Sequence, residues 1–253
     1  MEASRREFIK NVGLNSLSVI ASSQTVFANN LALNSGEDKS KGLTILFQGD
    51  SITDGNRTRN NDWNHVLGHG YQCLIASRLW FDHPKSNLMF YNRGISGNRV
   101  TDLEARWQQD AVDLKPDVIS ILIGVNDTMS VVNNQNPQSI EVFEKAYKNI
   151  LDKTKSELPK TKIVLCEPFI LPLGWVSKNT EIWQNEIKKR QDVVRKLAIN
   201  YNAVFVAFQQ PFIEACKKAE AGFWIWDGVH PMPSGHELMA RIWIKEVGKK
   251  LGF

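Results

Sequence analysis

The sequence predicts an α/β domain built around a mostly parallel sheet. Three observations point there. Short apolar runs alternate along the chain with segments of helical period. One run, Val118-Ile119-Ser120-Ile121-Leu122-Ile123, is nearly all apolar, as a central strand covered on both faces should be. Phe143, Ala146, Tyr147, Ile150, Leu151 and Thr154 follow the i, i+3, i+4, i+7 spacing of one buried helical face.

The elements follow in order. Leu43 to Phe47 is short, β-branched and closed by glycine, which predicts a buried strand over 43–48. Further strands are predicted over 88–92, 117–123, 162–166 and 203–207, giving five in all. Pro116 stands just before the third, where a strand can begin without losing a ladder hydrogen bond. Helices are predicted over 70–82, 100–110, 139–157, 180–200, 210–219 and 234–249. Pro159 ends the third of them, and Trp183, Ile187, Val194, Leu197 and Tyr201 mark the buried face of the fourth. The last opens with Pro233 and Ser234 and is expected to bury Leu238, Ile242 and Trp243. Two long loops, Asp54 to Gly70 and Pro168 to Thr180, should emerge at the C-terminal ends of their strands.

The chain divides into three parts. Residues 1–28 resemble a twin-arginine export signal: Ser4-Arg5-Arg6-Glu7-Phe8-Ile9-Lys10, an apolar run from Val12 to Ala21, then Val26-Phe27-Ala28 as a cleavage site. The apolar run falls short of the roughly 20 residues of a membrane span, and no cysteine precedes Cys73 to take a lipid anchor. Residues 29–41 are polar and read as a flexible lead-in, and 42–253 as one folded domain. The expected location is periplasmic or extracellular. Cys73, Cys166 and Cys216 match no zinc or redox spacing; Cys73 and Cys166 sit in apolar contexts and read as small core residues. The net charge is +4, and the leader carries three basic against two acidic residues, so the mature chain stays near +3. Without a dense basic cluster, this balance argues neither for nucleic acid nor for an anionic membrane. A homo-oligomer stays open.

The chemistry centres on Gly49-Asp50-Ser51 at the end of the first strand, where open α/β sheets place their sites. Alone it is an ordinary turn. Three further stretches accompany it: Asn92-Arg93-Gly94-Ile95-Ser96-Gly97 after the second strand, Gly124-Val125-Asn126-Asp127 after the third, and Trp226-Asp227-Gly228-Val229-His230-Pro231 near the end. Ester hydrolysis needs a hydroxyl nucleophile, a base near neutrality and an orienting acid. Ser51 is the candidate nucleophile and His230 the base. Asp227, three residues earlier, could hold one imidazole nitrogen through a turn.

The four stretches, in this order, resemble the conserved blocks of the SGNH (GDSL) hydrolase superfamily from Leu43 to the end of the chain. The resemblance implies a flavodoxin-like three-layer α/β/α sandwich with a five-stranded parallel sheet. It also implies a Ser51-His230-Asp227 triad and an oxyanion hole formed by the backbone N–H groups of Ser51 and Gly94 with the side-chain amide of Asn126. Neither a metal motif nor a cofactor motif is present, and the serine mechanism requires neither. Asp50 is a candidate to border the substrate and also to hold the nucleophile turn. Asp127 is expected to cap the segment after the third strand.

The run Asn92 to Val100, with Asp102-Leu103, Ala105-Arg106-Trp107, Leu67-Gly68-His69-Gly70-Tyr71 and Trp226 to Pro231, is similar to SGNH enzymes that deacetylate xylan and xylo-oligosaccharides. An acetylated carbohydrate is therefore the expected substrate. Trp226 and Trp175 are candidate substrate contacts, since flat aromatic faces pack on sugar rings, with Trp63 and Trp224 also near the predicted rim. Loops 54–66 and 169–178 depart most from that group. Two other readings stay open: a lipid esterase, lysophospholipase or thioesterase using the apolar segment Phe169 to Val176, and a non-catalytic carbohydrate-binding protein on the same scaffold.

Overall fold

The computed structural model describes residues 42–60 and 62–251; the expected export signal and lead-in lie outside them. The chain forms β1 (Thr44–Gly49), α1 (Ser51–Asp54), α2 (Tyr71–Asp82), β2 (Met89–Asn92), α3 (Val100–Trp107), β3 (Val118–Leu122), α4 (Val125–Val132), α5 (Ile140–Glu157), β4 (Lys162–Cys166), α6 (Thr180–Asn200), β5 (Val204–Val206), α7 (Gln209–Ala215), α8 (Ala221–Trp224) and α9 (Pro233–Leu251). The five expected strands and six expected helices are all present. The short α1, α4 and α8, a π-helical turn Gln108–Val112 and a 3-10 turn Val176–Asn179 were not anticipated.

All strands are parallel, in the order β2-β1-β3-β4-β5. β1 is flanked by β2 and β3, so the chain leaves it in opposite directions and opens a crevice at its C-terminal end. Register aligns the exits. Phe47 pairs with Asn92 and Gly49 with Leu122, which brings three of the four motif blocks out at one edge.

Helices cover both faces, as the apolar character of β1, β3 and β4 requires. On one side α3, α5 and α6 bury Leu103, Trp107, Phe143, Tyr147, Ile150 and Leu197 against Leu46, Ile119 and Ile121. On the other, α2 and α9 pack with Phe47, Tyr71, Trp243 and Phe208, whose rings meet at 5.6 to 6.4 Å. Trp243 is fully buried and donates its indole N–H to Ser120 Oγ at 2.9 Å, which explains a serine in the middle of an apolar strand. The buried stripe of α9 runs through His236, Met239, Ala240, Trp243 and Val247. Leu238 and Ile242 are only partly covered, because that stripe is offset by one position from the one expected.

The apolar stretch Phe169, Ile170, Leu171 and Val176 is core, not lid: each is at most 4% exposed. Cys166 is buried and Cys73 and Cys216 are half-buried, and all three are free thiols.

Candidate active site

The nucleophile turn is a strand-to-helix junction. Asp50 is the N-cap of α1, its carboxylate accepting from Ile52 N at 3.0 Å. This side chain lies almost wholly out of solvent, which removes it from substrate contact and assigns it to holding the turn. Burial, offset by the Ile52 N–H and by His230, lifts its carboxyl to about 7. Ser51 follows at the first helical position, where backbone N–H groups have no intrahelical partner.

Ser51 Oγ lies 2.8 Å from His230 Nε2. The other ring nitrogen, Nδ1, lies 2.6 Å from Asp227 Oδ2. Asp227 Oδ1 accepts from the backbone N–H of Val229 and His230 at 2.9 and 2.7 Å, which orients the carboxylate. Burial alone would raise the Asp227 carboxyl, but its hydrogen bonds to His230 and Val229 hold it below the usual range. The Asp227 hydrogen bond raises His230, against burial, with help from the charges of Asp227 and Asp50. A hydroxyl held by an imidazole that a buried carboxylate orients is an arrangement suited to nucleophilic attack with general-base assistance.

The loop that presents Asp227 and His230 is pinned twice. Trp226 N donates to His230 O at 3.2 Å, and Ile225 bridges to Pro231, so residues 225–231 form a closed turn. Segment 171–175 then clasps it: Leu171 N donates to Gly228 O at 3.0 Å and Trp175 N to Asp227 O at 2.9 Å. Gly228 has φ +97°, and a Cβ there would sit 2.5 Å from Leu173 O. Only glycine suits both the angle and the contact.

The second block differs from expectation. Gly94 is buried, and its N–H already donates to Asn92 Oδ1 at 2.9 Å. A Cβ at Gly94 would come within 2.4 Å of Asp54 N, so glycine is needed there for close packing against α1, not to donate to a substrate. Asn92 is the bracket: its amide nitrogen lies 2.7, 3.1 and 2.9 Å from the carbonyls of Thr53, Asp54 and Leu67. Gly97, three residues on, is exposed, has φ +85° with open space at its Cβ position, and its N–H has no partner among the described residues. Next to it, the Asn98 carbonyl accepts from Asn126 Nδ2 at 3.0 Å. An amide nitrogen has two protons, so Asn126 keeps one to donate. Gly97, not Gly94, is thus the available backbone donor. Its mark in the sequence is the second glycine of Gly-Ile-Ser-Gly, in the turn where the chain needs positive φ.

The remaining candidates fall into place. Trp175 and Trp226 flank His230, with ring centroids 5.8 and 6.3 Å from the imidazole, and are 45% and 59% exposed. Trp224 instead sits against Phe223 and donates to Ala219 O. Asp127 is buried and caps α3 across the sheet edge, lying 3.3 Å from Val100 N, instead of its own segment. His236 is buried and accepts from Tyr71 N at 3.1 Å, capping α2; burial lowers it to about 4, so it stays neutral. His65 pairs with Asp62 in the exposed loop. Fully buried Arg190, which sequence patterning did not single out, ion-pairs with Glu186 at 2.9 Å and donates to Asp127 O.

The model of the GDSL-like lipase/acylhydrolase family matches residues 47–238. The chain belongs to this family. This GDSL-like hydrolase is 33% identical over 218 residues to an acetylxylan esterase from Geobacillus stearothermophilus, an alignment covering 82% of this chain and 94% of the relative. A crystal structure of an acetylxylan esterase from the same organism superposes with a TM-score of 0.73 at 31% identity, covering 83% of this chain and 97% of that one. A protein from Parabacteroides merdae, described as a GDSL-like lipase, superposes at 0.79 with 40% identity, covering 83% and 98%. The GDSL-like hydrolase is therefore a carboxylic ester hydrolase with the SGNH α/β fold.

Proposed function

We propose that this enzyme removes acetyl groups from xylan-like polysaccharides or their oligosaccharides through a covalent acyl-enzyme. The observation that carries the reading is the continuous Ser51-His230-Asp227 hydrogen-bond chain, in a chain 33% identical to an acetylxylan esterase. Ser51 Oγ attacks the ester carbonyl as its proton passes to His230 Nε2. Asp227 stabilises the resulting imidazolium. The developing oxyanion is received by Ser51 N–H, Gly97 N–H and the free proton of Asn126. His230 returns its proton to the departing sugar oxygen. Water, activated by the same imidazole, then releases acetate and restores Ser51. Trp175 and Trp226 border the acyl and sugar pocket.

Export fits this role, since the polymer is met outside the cytoplasm. Residues 1–28 are proposed as the signal and 29–41 as a lead-in to the 42–253 domain. No helix among the described residues is long and apolar enough to cross a membrane. A second reading, an esterase for long acyl chains, draws on an apolar cavity of about 540 Å³ lined by Ile170, Leu171, Val176, Ile187 and Ile213. None of Ser51, Asp227 and His230 lines it.

The deciding experiment measures acetate release from acetylated xylo-oligosaccharides beside aryl esters of increasing acyl length, with Ser51→Ala as control. Acetate release that falls steeply beyond short chains and vanishes in the variant is expected. Hydrolysis of long chains with none of acetylated sugars would transfer the assignment to the lipid reading.

A further inference from the structure

A cavity of about 240 Å³ opens beside the C-terminal end of edge strand β2, lined by Arg57, Thr58, Arg59, Trp63, Tyr91 and Arg93 among others. Three arginines line it, and among the described residues no acidic one does. Arg59 is satisfied by Asp54, with nitrogens at 2.9 and 2.6 Å from the two carboxylate oxygens. The other two are not. Arg57 spends its Nε on Gly94 O at 3.0 Å, and its terminal nitrogens have no acceptor among the described residues. Arg93 is only loosely engaged: its Nε lies 4.0 Å from Asp110 Oδ1, while Arg106 holds the other oxygen of that carboxylate at 2.8 Å. Arg93 Nε and Thr58 Oγ1 are both shut off from water without a hydrogen-bond partner. Burial, then the charges of Arg59 and Arg93, pull the Arg57 guanidinium down to about 10 against the opposing pull of Asp54 and Asp110, and it remains charged. Trp63 stands at the rim, 64% exposed, and supplies a flat apolar face.

We propose that this cavity is a subsite for the carboxylate of a uronic acid substituent carried by the polysaccharide. A planar guanidinium is matched to a carboxylate, and Trp63 can stack on the sugar face. The volume suits a single substituent rather than a chain, being below the roughly 300–1,000 Å³ of drug-sized pockets. Arg93 and Gly97 are four positions apart, at most about 14 Å of chain, so the subsite recognises a sugar near the ester that is cleaved. This inference rests on the carbohydrate-ester reading, and its test is one of binding.

Ser51→Ala enzyme is titrated calorimetrically with unacetylated xylo-oligosaccharides with and without one glucuronic acid branch. The acidic ligand should bind about tenfold tighter, the worth of one charge-assisted hydrogen bond. The preference should disappear when Arg93→Met is added to that background, while Arg93→Met alone hydrolyses aryl acetate as the parent does. Raising the salt should shrink the preference in the parent, which tests the idea even if the Arg93 variant folds poorly. Equal affinity for the two ligands overturns the proposal, as does a preference that survives Arg93→Met. Competition by inorganic phosphate as effective as the acidic sugar would reduce the cavity to a general anion site and overturn the assignment to a sugar carboxylate. Binding of the acidic ligand without acetate release from any sugar ester would sink the acetylesterase reading and leave the subsite standing.

Discussion

Ser51 and His230 approach to 2.8 Å, yet the backbone behind each is of a different kind. Ser51 stands where a buried strand runs directly into a helix, and its neighbours Asp50 and Asn92 spend their polar atoms on nearby backbone. His230 stands on a loop clasped by another loop, segment 171–175, through two backbone hydrogen bonds and a close approach at Gly228. The first arrangement is set by strand, turn and cap, with Asn92 of the second block bracing it. The second depends on two stretches more than fifty residues apart finding each other. The nucleophile side should therefore tolerate damage elsewhere, and the acid-base side should respond to changes in segment 171–175 that touch no catalytic group.

The largest effects are expected where the two sides meet. Ser51→Ala and His230→Ala should each lower kcat by about 10⁶-fold, and the double variant scarcely further, because residues acting as one unit are non-additive. Asp227→Asn should cost about 10⁴-fold. Steady-state hydrolysis of an aryl acetate reads all of these, and additive losses would argue against a shared proton path.

Next comes the oxyanion side. Asn126→Ala should lower kcat by about 10²–10³-fold with little change in KM. A change confined to KM would remove Asn126 from the transition state.

Gly228→Ala tests the clasp itself. The added Cβ meets Leu173 O at 2.5 Å with φ at +97°, so the variant should lose about 1–3 kcal/mol of stability in a denaturant melt. Its kcat should fall although no reacting group has changed. An active, fully stable Gly228→Ala would show that the clasp does not position His230.

The smallest effect lies in the pH profile. The base must be neutral, so kcat/KM should rise with pH to a plateau, with a midpoint above the ordinary histidine value of 6.5 because Asp227 and Asp50 favour the imidazolium. Removing either charge should shift the midpoint down, more in Asp227→Asn than in Asp50→Asn. An upward shift in either variant would contradict the stated cause.

The same contrast explains what was legible in the sequence. The five strands and the long helices rest on periodicity, which needs no knowledge of distant partners. The pairing of Ser51 with His230 and Asp227 comes from the resemblance of four separated blocks to the SGNH family. A motif names Gly94 but not where its N–H points, and Asn92 Oδ1 claims that N–H. The burial of Asp50 behind the nucleophile cannot be read from a turn. Asp127 caps a helix from another block. Arg57 and Arg93 look like ordinary loop cations until the cavity between them is seen.

The hydrogen bond between Ser51 and His230 spans 179 positions. A ribosome reaches the nucleophile early and the base only after every strand of the sheet has been made. Until then the nascent chain carries a serine with no proton acceptor, and α9, which begins three residues beyond His230, has yet to settle against the sheet. Hydrolytic activity is thus a natural reporter of finished folding: a fragment, a stalled chain or a misdocked terminal helix should be silent toward esters even where most of its core is already in place.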